Sequence, residues 1–216
     1  MAYVPSHIAG NARWLTDKQR ELIERASVLG REKFAPRAAK FDREAVFPFE
    51  NYADLREAGL LGVCVPEAYG GLGSNKATIM IVSEGVAWGG SFAVTHGAQA
   101  GIGTLPIAYY GTPAQKAEYL PRLATGELLS CYALTETGSG SDALAAATTA
   151  VLSPDGQHYV LNGAKQFITN AAYADICILF AKIDGEKFTC FIVILRPPRV
   201  LAPSLKRPTL RMLKAM

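Results

Sequence analysis

The pattern of hydrophobic residues along the chain changes its period once, near residue 126. Before that point, apolar residues recur every three or four positions, as they do on one face of an α-helix. After it, short apolar and β-branched runs are separated by turn residues. The pattern therefore predicts an α+β chain, with an N-terminal all-α helical domain over residues 1–125 and a β domain over residues 126–194.

The helical half is predicted to form helices over residues 17–45, 48–60, 75–88, 91–110 and 113–123. Thr16 and Asp17 are typical of an N-cap, which indicates where the first helix begins. The helices over 75–88 and 91–110 are rich in alanine and β-branched residues and almost free of charge. Such helices are usually buried on most sides, so we expect them in the core.

The β half predicts strands over residues 128–134, 146–152, 158–162, 165–169, 175–182 and 187–195. Turn signals lie between them at residues 153–156 (SPDG), at Asn162 and Gly163, and at Asp184 and Gly185. Dipeptides of this kind favour hairpins, so we expect an incomplete antiparallel, barrel-like sheet. Residues 195–216 follow as a divergent, basic and proline-rich tail.

Charge and composition exclude several classes of protein. The net charge of +3 comes from six basic residues in positions 196–216, and the rest of the chain holds 16 basic and 19 acidic residues. The body therefore gives no case for binding nucleic acid. No apolar run approaches the roughly 20 residues that span a bilayer, and the scattered cysteines lack metal-ligand spacing. The N-terminus has no signal or transit features, so we expect a cytoplasmic protein, with the mitochondrial matrix as the alternative.

Two segments carry the chemical signal. Residues 131–145 read CYALTETGSGSDALA, a β-prone run that opens into a loop of glycines and hydroxyl side chains. Free amides and hydroxyls in such a loop suit an oxygen-rich ligand, although a lone glycine-rich loop is more often a simple turn. Residues 162–175, NGAKQFITNAAYAD, follow about thirty residues after the first segment begins.

The pair of segments resembles the flavin-binding middle domain of the acyl-CoA dehydrogenase family, most of all its long- and very-long-chain branch. The first motif of that family is met at every specified position, by Ala133, Leu134, Thr135, Glu136, Ser139, Gly140, Ser141 and Asp142. Two positions depart from the usual pattern. Thr137 stands where the family usually has proline, and Phe167 stands where it more often has tryptophan.

The resemblance implies FAD as cofactor and a set of residues that bind it. Thr135 and Thr169 would hydrogen-bond the edges of the flavin, and Phe167 would cover one of its faces. Ser141 would lie between the flavin and the acyl-CoA substrate, and so would also bind substrate. The implied flavin-binding residues are Tyr132, Leu134, Thr135, Gly140, Ser141, Phe167, Ile168 and Thr169. No metal site is implied.

The resemblance also implies the reaction, which is the α,β-dehydrogenation of acyl-CoA thioesters with an electron-transfer flavoprotein as acceptor. The full-length family member is expected to be a homo-oligomer. Its catalytic base is a glutamate in a C-terminal helical domain, which we expect beyond residue 216, so no catalytic residue is assigned. We therefore expect a truncated form that binds FAD weakly and is inactive alone. An acyl-CoA oxidase-like relative and a catalytically dead interaction module remain alternatives.

Overall fold

The computed structural model describes residues 15–195, and it confirms the α+β class. Its N-terminal half is helical. The α-helices are α1 (Asp17–Leu29), α2 (Ala35–Glu44), α3 (Phe49–Glu57), α4 (Lys76–Val86), α5 (Phe92–His96), α6 (Leu105–Tyr110) and α7 (Pro113–Ala124). Two π-helical segments, Gly30–Phe34 and Gly97–Ile102, interrupt them, and 3-10 turns lie at Glu67–Tyr69, Ala87–Gly89 and Ala143–Ala145. The predicted tail lies outside the described residues apart from Leu195. None of the described helices is long and apolar enough to cross a membrane.

The first predicted helix is confirmed as a continuous run of α1, the π-helical segment Gly30–Phe34 and α2. Thr16 caps it as predicted: the Gln19 amide donates to Thr16 Oγ1 at 3.2 Å, and the Thr16 amide donates to Gln19 Oε1 at 2.9 Å. This reciprocal pair satisfies amides that have no partner inside the helix.

Helix α1 and the π-helical segment after it pack closely on α4 through glycines. A Cβ added to Gly30 would overlap the carbonyl oxygen of Gly85, and one added to Gly85 would lie 2.7 Å from the Cβ of Ala26. Both backbones are therefore too close to admit a larger side chain. This contact fixes how the first and fourth helices cross.

We expect Gly30→Ala to lower the free energy of unfolding by about 2 kcal/mol, because the added methyl group has to push two backbones apart. Urea unfolding followed by far-UV circular dichroism measures the change. Gly97→Ala is the matched control, since a Cβ there meets no atom within 4 Å. If both variants unfold at the same urea concentration, the close approach does not hold.

The described residues contain one open sheet of five strands. These are β1 (Ser130–Ala133), β2 (Thr149–Leu152), β3 (Tyr159–Asn162), β4 (Ile176–Ile183) and β5 (Lys187–Ile194). Strand β4 is central. Antiparallel β5 covers one side of it, while β1 and β2 follow one another along the other side, and β3 pairs with β2 at the edge.

The hairpins predicted at residues 153–156 and at Asp184 and Gly185 are confirmed as the β2–β3 and β4–β5 connections. Three details of the predicted sheet are wrong. The pairs β1–β4 and β2–β4 are parallel, so the sheet is mixed rather than antiparallel. Residues 165–169 form no strand, because Phe167 has a left-handed φ of 56° that interrupts extended backbone. Gly163 consequently opens a loop instead of a hairpin.

The core has three main parts. The first lies between the helices around the buried Phe34, and the second joins α6 and α7 to one face of the sheet. The third covers the other face around Phe191. Strand β4 serves both faces by alternation, with Ile176 and Ile178 toward the helices and Cys177 toward the third cluster.

Candidate functional site

A cleft of about 220 Å³ lies where the helical layer meets the loops of the sheet. Six of the eight predicted flavin-binding residues line it, and two further residues come from the π-helical segment Gly97–Ile102. The lining residues are Ala98, Ile102, Tyr132, Leu134, Thr135, Phe167, Ile168 and Thr169. The remaining two predicted residues, Gly140 and Ser141, are exposed on the loop after β1 and do not line the cleft. The structure thus brings the two sequence segments together at one place.

Gln99 fixes the helical wall of the cleft to β1. Its side chain is fully buried, and its Nε2 donates to the carbonyl oxygens of Leu123 (3.2 Å) and Leu128 (2.9 Å). Its Oε1 accepts hydrogen bonds from the amide (2.6 Å) and the hydroxyl (2.9 Å) of Ser130. One amide side chain therefore joins α7, the chain after it and the first strand.

Asn170 makes a second link between the same two layers. Its Nδ2 donates to the carbonyl oxygens of Ser130 (3.1 Å) and Thr95 (3.4 Å), while its buried Oδ1 has no hydrogen-bond partner. Its φ of 70° lies in the left-handed region, which asparagine tolerates better than most residues. We call Gln99, Ser130 and Asn170 the polar seam. It fixes the position of the helical wall of the cleft relative to strand β1.

The two loops of the cleft are joined by a buried ion pair. Lys165 Nζ donates to Glu136 Oε1 at 2.6 Å and to the carbonyl oxygen of Leu134 at 3.1 Å. Both charged side chains are only 8% exposed. Glu136 also accepts from the amides of Ala147 (2.6 Å) and Thr148 (3.1 Å) and from the Thr148 hydroxyl. The carboxylate thus organises the loop between β1 and β2 and binds it to the loop before Phe167.

Hydrogen bonding keeps Glu136 ionised despite its burial. Burial by itself raises the pKa of this carboxyl, but the hydrogen bonds from Lys165, from Thr148 and from the two amides outweigh it and lower the pKa to about 2. A general base works best with a pKa near the operating pH. Glu136 is therefore unsuited to remove a proton from a substrate, and its part in the site is to hold loops together.

Aromatic side chains shape the cleft. Phe167 is 87% exposed beside it, in a backbone conformation that a bulky residue rarely adopts. The ring of Tyr132 packs on Phe180 with centroids 5.1 Å apart. Burial, and secondarily the neighbouring Cys190, raises the pKa of the Tyr132 phenol. Tyr132 therefore presents a neutral ring to the cleft.

The chemistry of the cleft suits the flat ring of a flavin. Its lining is mostly apolar, and within residues 15–195 no hydrogen bond engages the hydroxyls of Thr135 and Thr169. Sites for whole small-molecule ligands are usually about 300–1,000 Å³, so this cleft accommodates part of a large cofactor. Gly140 is not left-handed, and a Cβ added to it meets no atom within 4 Å. The fold itself therefore does not require glycine at this position. A ligand that approaches the backbone closely would require it.

Sequence reasoning missed the polar seam and the ion pair. It placed Glu136 in a motif without a role, and it did not single out Lys165 or Gln99. The available signal was Lys165, which is the only lysine or arginine in residues 131–175, since a charged side chain that becomes buried is nearly always paired. No group of three or more histidine, cysteine, aspartate or glutamate side chains within the described range is arranged to hold a metal ion.

Comparison with known proteins decides the family. The model of the acyl-CoA dehydrogenase N-terminal domain matches residues 16–127, which is more than half of the chain, and that of the acyl-CoA dehydrogenase middle domain matches residues 131–211. The chain belongs to the acyl-CoA dehydrogenase family. The resemblance drawn from the two sequence motifs is confirmed, and the family includes relatives named as very long-chain forms.

Similar proteins come from bacteria and from mitochondria. A probable acyl-CoA dehydrogenase of Bacillus subtilis is 56% identical over 137 residues, which cover 63% of this chain and 23% of that relative. The human mitochondrial very long-chain specific acyl-CoA dehydrogenase is 38% identical over 184 residues, which cover 81% of this chain and 28% of that relative. The chain therefore spans about a quarter of the length of these two relatives.

Similar solved structures share the fold described above. An acyl-CoA dehydrogenase from Bacillus anthracis, complexed with FAD, superimposes with a TM-score of 0.77 at 46% identity, over 85% of this chain and 32% of that chain. A structure described as the electron transferring flavoprotein of Acidaminococcus fermentans gives 0.74 at 33% identity, over 83% of this chain and 48% of that chain.

Proposed function

We propose that this chain binds FAD in the cleft and supplies the helical and flavin-binding parts of an enzyme that dehydrogenates acyl-CoA thioesters. The observation that carries the proposal is the pair of unengaged hydroxyls, Thr135 and Thr169, on two loops that a buried ion pair holds together. A similar structure is an FAD complex, which supports the same ligand.

Each of the six predicted residues that line the cleft has a role in holding the ring. The hydroxyls of Thr135 and Thr169 donate to its polar edge, while Tyr132, Leu134 and Ile168 contact its apolar parts. Phe167 covers an exposed face, as aromatic side chains do for planar ligands. Gly140 and Ser141 lie on the loop outside the cleft, where the open space at Gly140 lets backbone amides approach the phosphate or the substrate. Together these groups exclude water from the ring and orient it.

A flavin held by these residues would supply the acceptor for a hydride from the β-carbon of the acyl chain. This chain's residues hold the ring in place for that step. The base that removes the α-proton is assigned to no described residue, since Glu136 is committed to its ion pair. We propose acyl-CoA as substrate and an electron-transfer flavoprotein as acceptor, in line with the flavoprotein named among similar structures.

The remaining predictions about the whole protein stay proposals. We keep a division near residues 125 and 126, with the divergent tail from residue 195, and a homo-oligomer for the complete enzyme. Location in the cytoplasm or in the mitochondrial matrix also stays a prediction. One relative named above is bacterial, and another is named as mitochondrial.

Titration of FAD against the chain tests the proposal, with quenching of flavin fluorescence as the readout. We expect Thr135→Val combined with Thr169→Val to weaken binding about thirtyfold, because each lost hydrogen bond removes roughly 1 kcal/mol. Thr189→Val is the matched control, since Thr189 lies on β5 and does not line the cleft. A double variant that binds FAD as tightly as the control contradicts the assignment of the two hydroxyls.

Gly140→Ala separates ligand approach from folding. Since an added Cβ meets open space, we expect the free energy of unfolding to stay within about 0.5 kcal/mol of the parent, while FAD binding weakens. Thermal unfolding without FAD and the same titration measure the two effects. Unchanged binding would remove Gly140 from the site. A parent chain that quenches no flavin fluorescence would overturn the proposed function and favour a scaffold role.

A further inference from the structure

The segment that carries Phe167, Ile168 and Thr169 is tied to the protein immediately before and immediately after these three residues. Before them, Lys165 is bonded to Leu134 and Glu136, as described above. The next residue, Gln166, donates from its amide to the carbonyl oxygen of Thr135 at 3.0 Å and from its Nε2 to that of Glu136 at 3.2 Å. Two successive residues are thus fixed to the start of the loop that follows β1.

After the three residues, Asn170 provides the second attachment. Its side chain is bonded to the carbonyl oxygens of Ser130 and Thr95, and the residue is only 8% exposed. Its amide oxygen is the only buried side-chain oxygen or nitrogen atom among residues 15–195 without a hydrogen-bond partner. Because burying an unsatisfied acceptor is unfavourable, the two bonds that Nδ2 donates have to keep the Asn170 side chain in this position.

The backbone between the attachments is strained. Phe167 and Asn170 both have left-handed φ angles, of 56° and 70°. For a bulky residue such as Phe167 this conformation is costly and persists only where the surrounding structure over-determines it, whereas asparagine tolerates it better. The exposed ring of Phe167 makes little contribution of its own, so the attachments on either side have to hold the conformation.

We propose that Glu136 and Lys165 are positioning residues, which hold the loop of Phe167, Ile168 and Thr169 in its strained conformation and thereby set the affinity of the cleft for FAD. The inference rests on the proposed function. It adds that the ion pair acts on the ligand through the loop, without touching the ligand. The charge of Lys165 matters because the ammonium group is bonded to Glu136 and to the Leu134 carbonyl oxygen, and so joins the two cleft loops where both charged side chains are buried.

Lys165→Met tests the inference in the full chain, because methionine keeps most of the length of the side chain and removes its charge. We expect the dissociation constant for FAD to rise by about tenfold or more, as when a partner that orients a ligand-binding group is removed. The visible spectrum of the bound flavin should move toward that of free FAD. Hydrogen exchange of the Gln166 amide, measured without FAD, should become faster because its bond to Thr135 is no longer held.

Asp54→Asn is the matched control. Asp54 resembles Glu136, since it lies in an ion-pair network with Lys33 and Arg37 at 2.6 Å from each, but it belongs to α3 and does not line the cleft. We expect it to lower the melting temperature while the dissociation constant for FAD and the flavin spectrum stay unchanged. This outcome separates positioning from a general loss of stability.

A second variant keeps the test valid if Lys165→Met does not fold. Gln166→Ala keeps the backbone bond to Thr135 and removes two side-chain bonds, one from Gln166 Nε2 to the Glu136 carbonyl oxygen and a long one, at 3.5 Å, from the Thr137 hydroxyl to Gln166 Oε1. We expect it to raise the dissociation constant about threefold. If the parent chain binds FAD and both variants bind it equally well with the parent's spectrum, the inference is wrong and the proposed function stands. If the parent chain binds no FAD, both are overturned.

Discussion

Replacing Gln99 with leucine is expected to lower the free energy of unfolding by about 4 kcal/mol, because it takes one hydrogen-bond partner from each of four buried groups. The affected groups are the carbonyl oxygens of Leu123 and Leu128 and the amide and hydroxyl of Ser130. Leucine has nearly the same length and fills the space, so lost packing adds little. For a chain of this size the change corresponds to a melting temperature about 10 °C lower.

Gln157→Leu is the comparison for this variant. Gln157 is exposed in the turn between β2 and β3, so its replacement is expected to change the free energy of unfolding by no more than about 0.5 kcal/mol. Both variants are measured by urea unfolding and by calorimetry under the same conditions. Equal stability of the two would mean that the seam does not hold the layers together.

Acid is expected to destabilise the chain through Glu136. The pKa of this carboxyl is about 2 in the folded chain and 4.5 in the unfolded reference, so the unfolded state binds the proton more readily. The stabilisation is therefore fully present above about pH 4.5 and is lost as the pH falls through about 2. Its size at neutral pH is about 3 kcal/mol, the free energy that corresponds to such a difference in pKa.

Glu136→Gln isolates this contribution. We expect the variant to be less stable than the parent by about 3 kcal/mol at neutral pH, with a difference that shrinks toward zero at about pH 2, where the parent carboxyl is protonated as well. Glu186→Gln, in the exposed turn between β4 and β5, is the matched control and should follow the parent throughout. If the stability difference between this variant and the parent is the same at about pH 7 and at about pH 2, ionisation of Glu136 has no part in it.

The sequence predicted the elements whose signals are local. The N-cap at Thr16 and the turn at Asp184 and Gly185 depend on a few neighbouring residues, and both are confirmed. The parallel pairing of β1 with β4 joins residues more than forty positions apart, and no turn chemistry specifies it. The false strand at residues 165–169 was apolar enough to be extended, but tertiary bonds to Lys165 and Gln166 bend it into a loop.

The candidate site was also predicted only in part, because some of its features are local in sequence and others depend on contacts between distant residues. The motifs identified six of the eight residues that line the cleft, including Thr135 and Thr169, since their types and order are visible along the chain. They did not identify Ala98 and Ile102, which come from the helical half. Nor did they identify what holds the lining residues in place, because the bond between Glu136 and Lys165 spans 29 positions and depends on burial, which a charged residue does not display in sequence. Gln99 was hidden similarly inside an apolar helix.

The polar seam limits how this chain can be recombined with its relatives. Gln99 comes from the helical half, whereas Ser130 and Asn170 come from the sheet half, and their bonds depend on direction as well as distance. A chimera joined near residue 126 therefore inherits a matching amide, hydroxyl and carboxamide only if both parents carry all three. Shuffled libraries should tolerate exchanges within either half far better than exchanges between them.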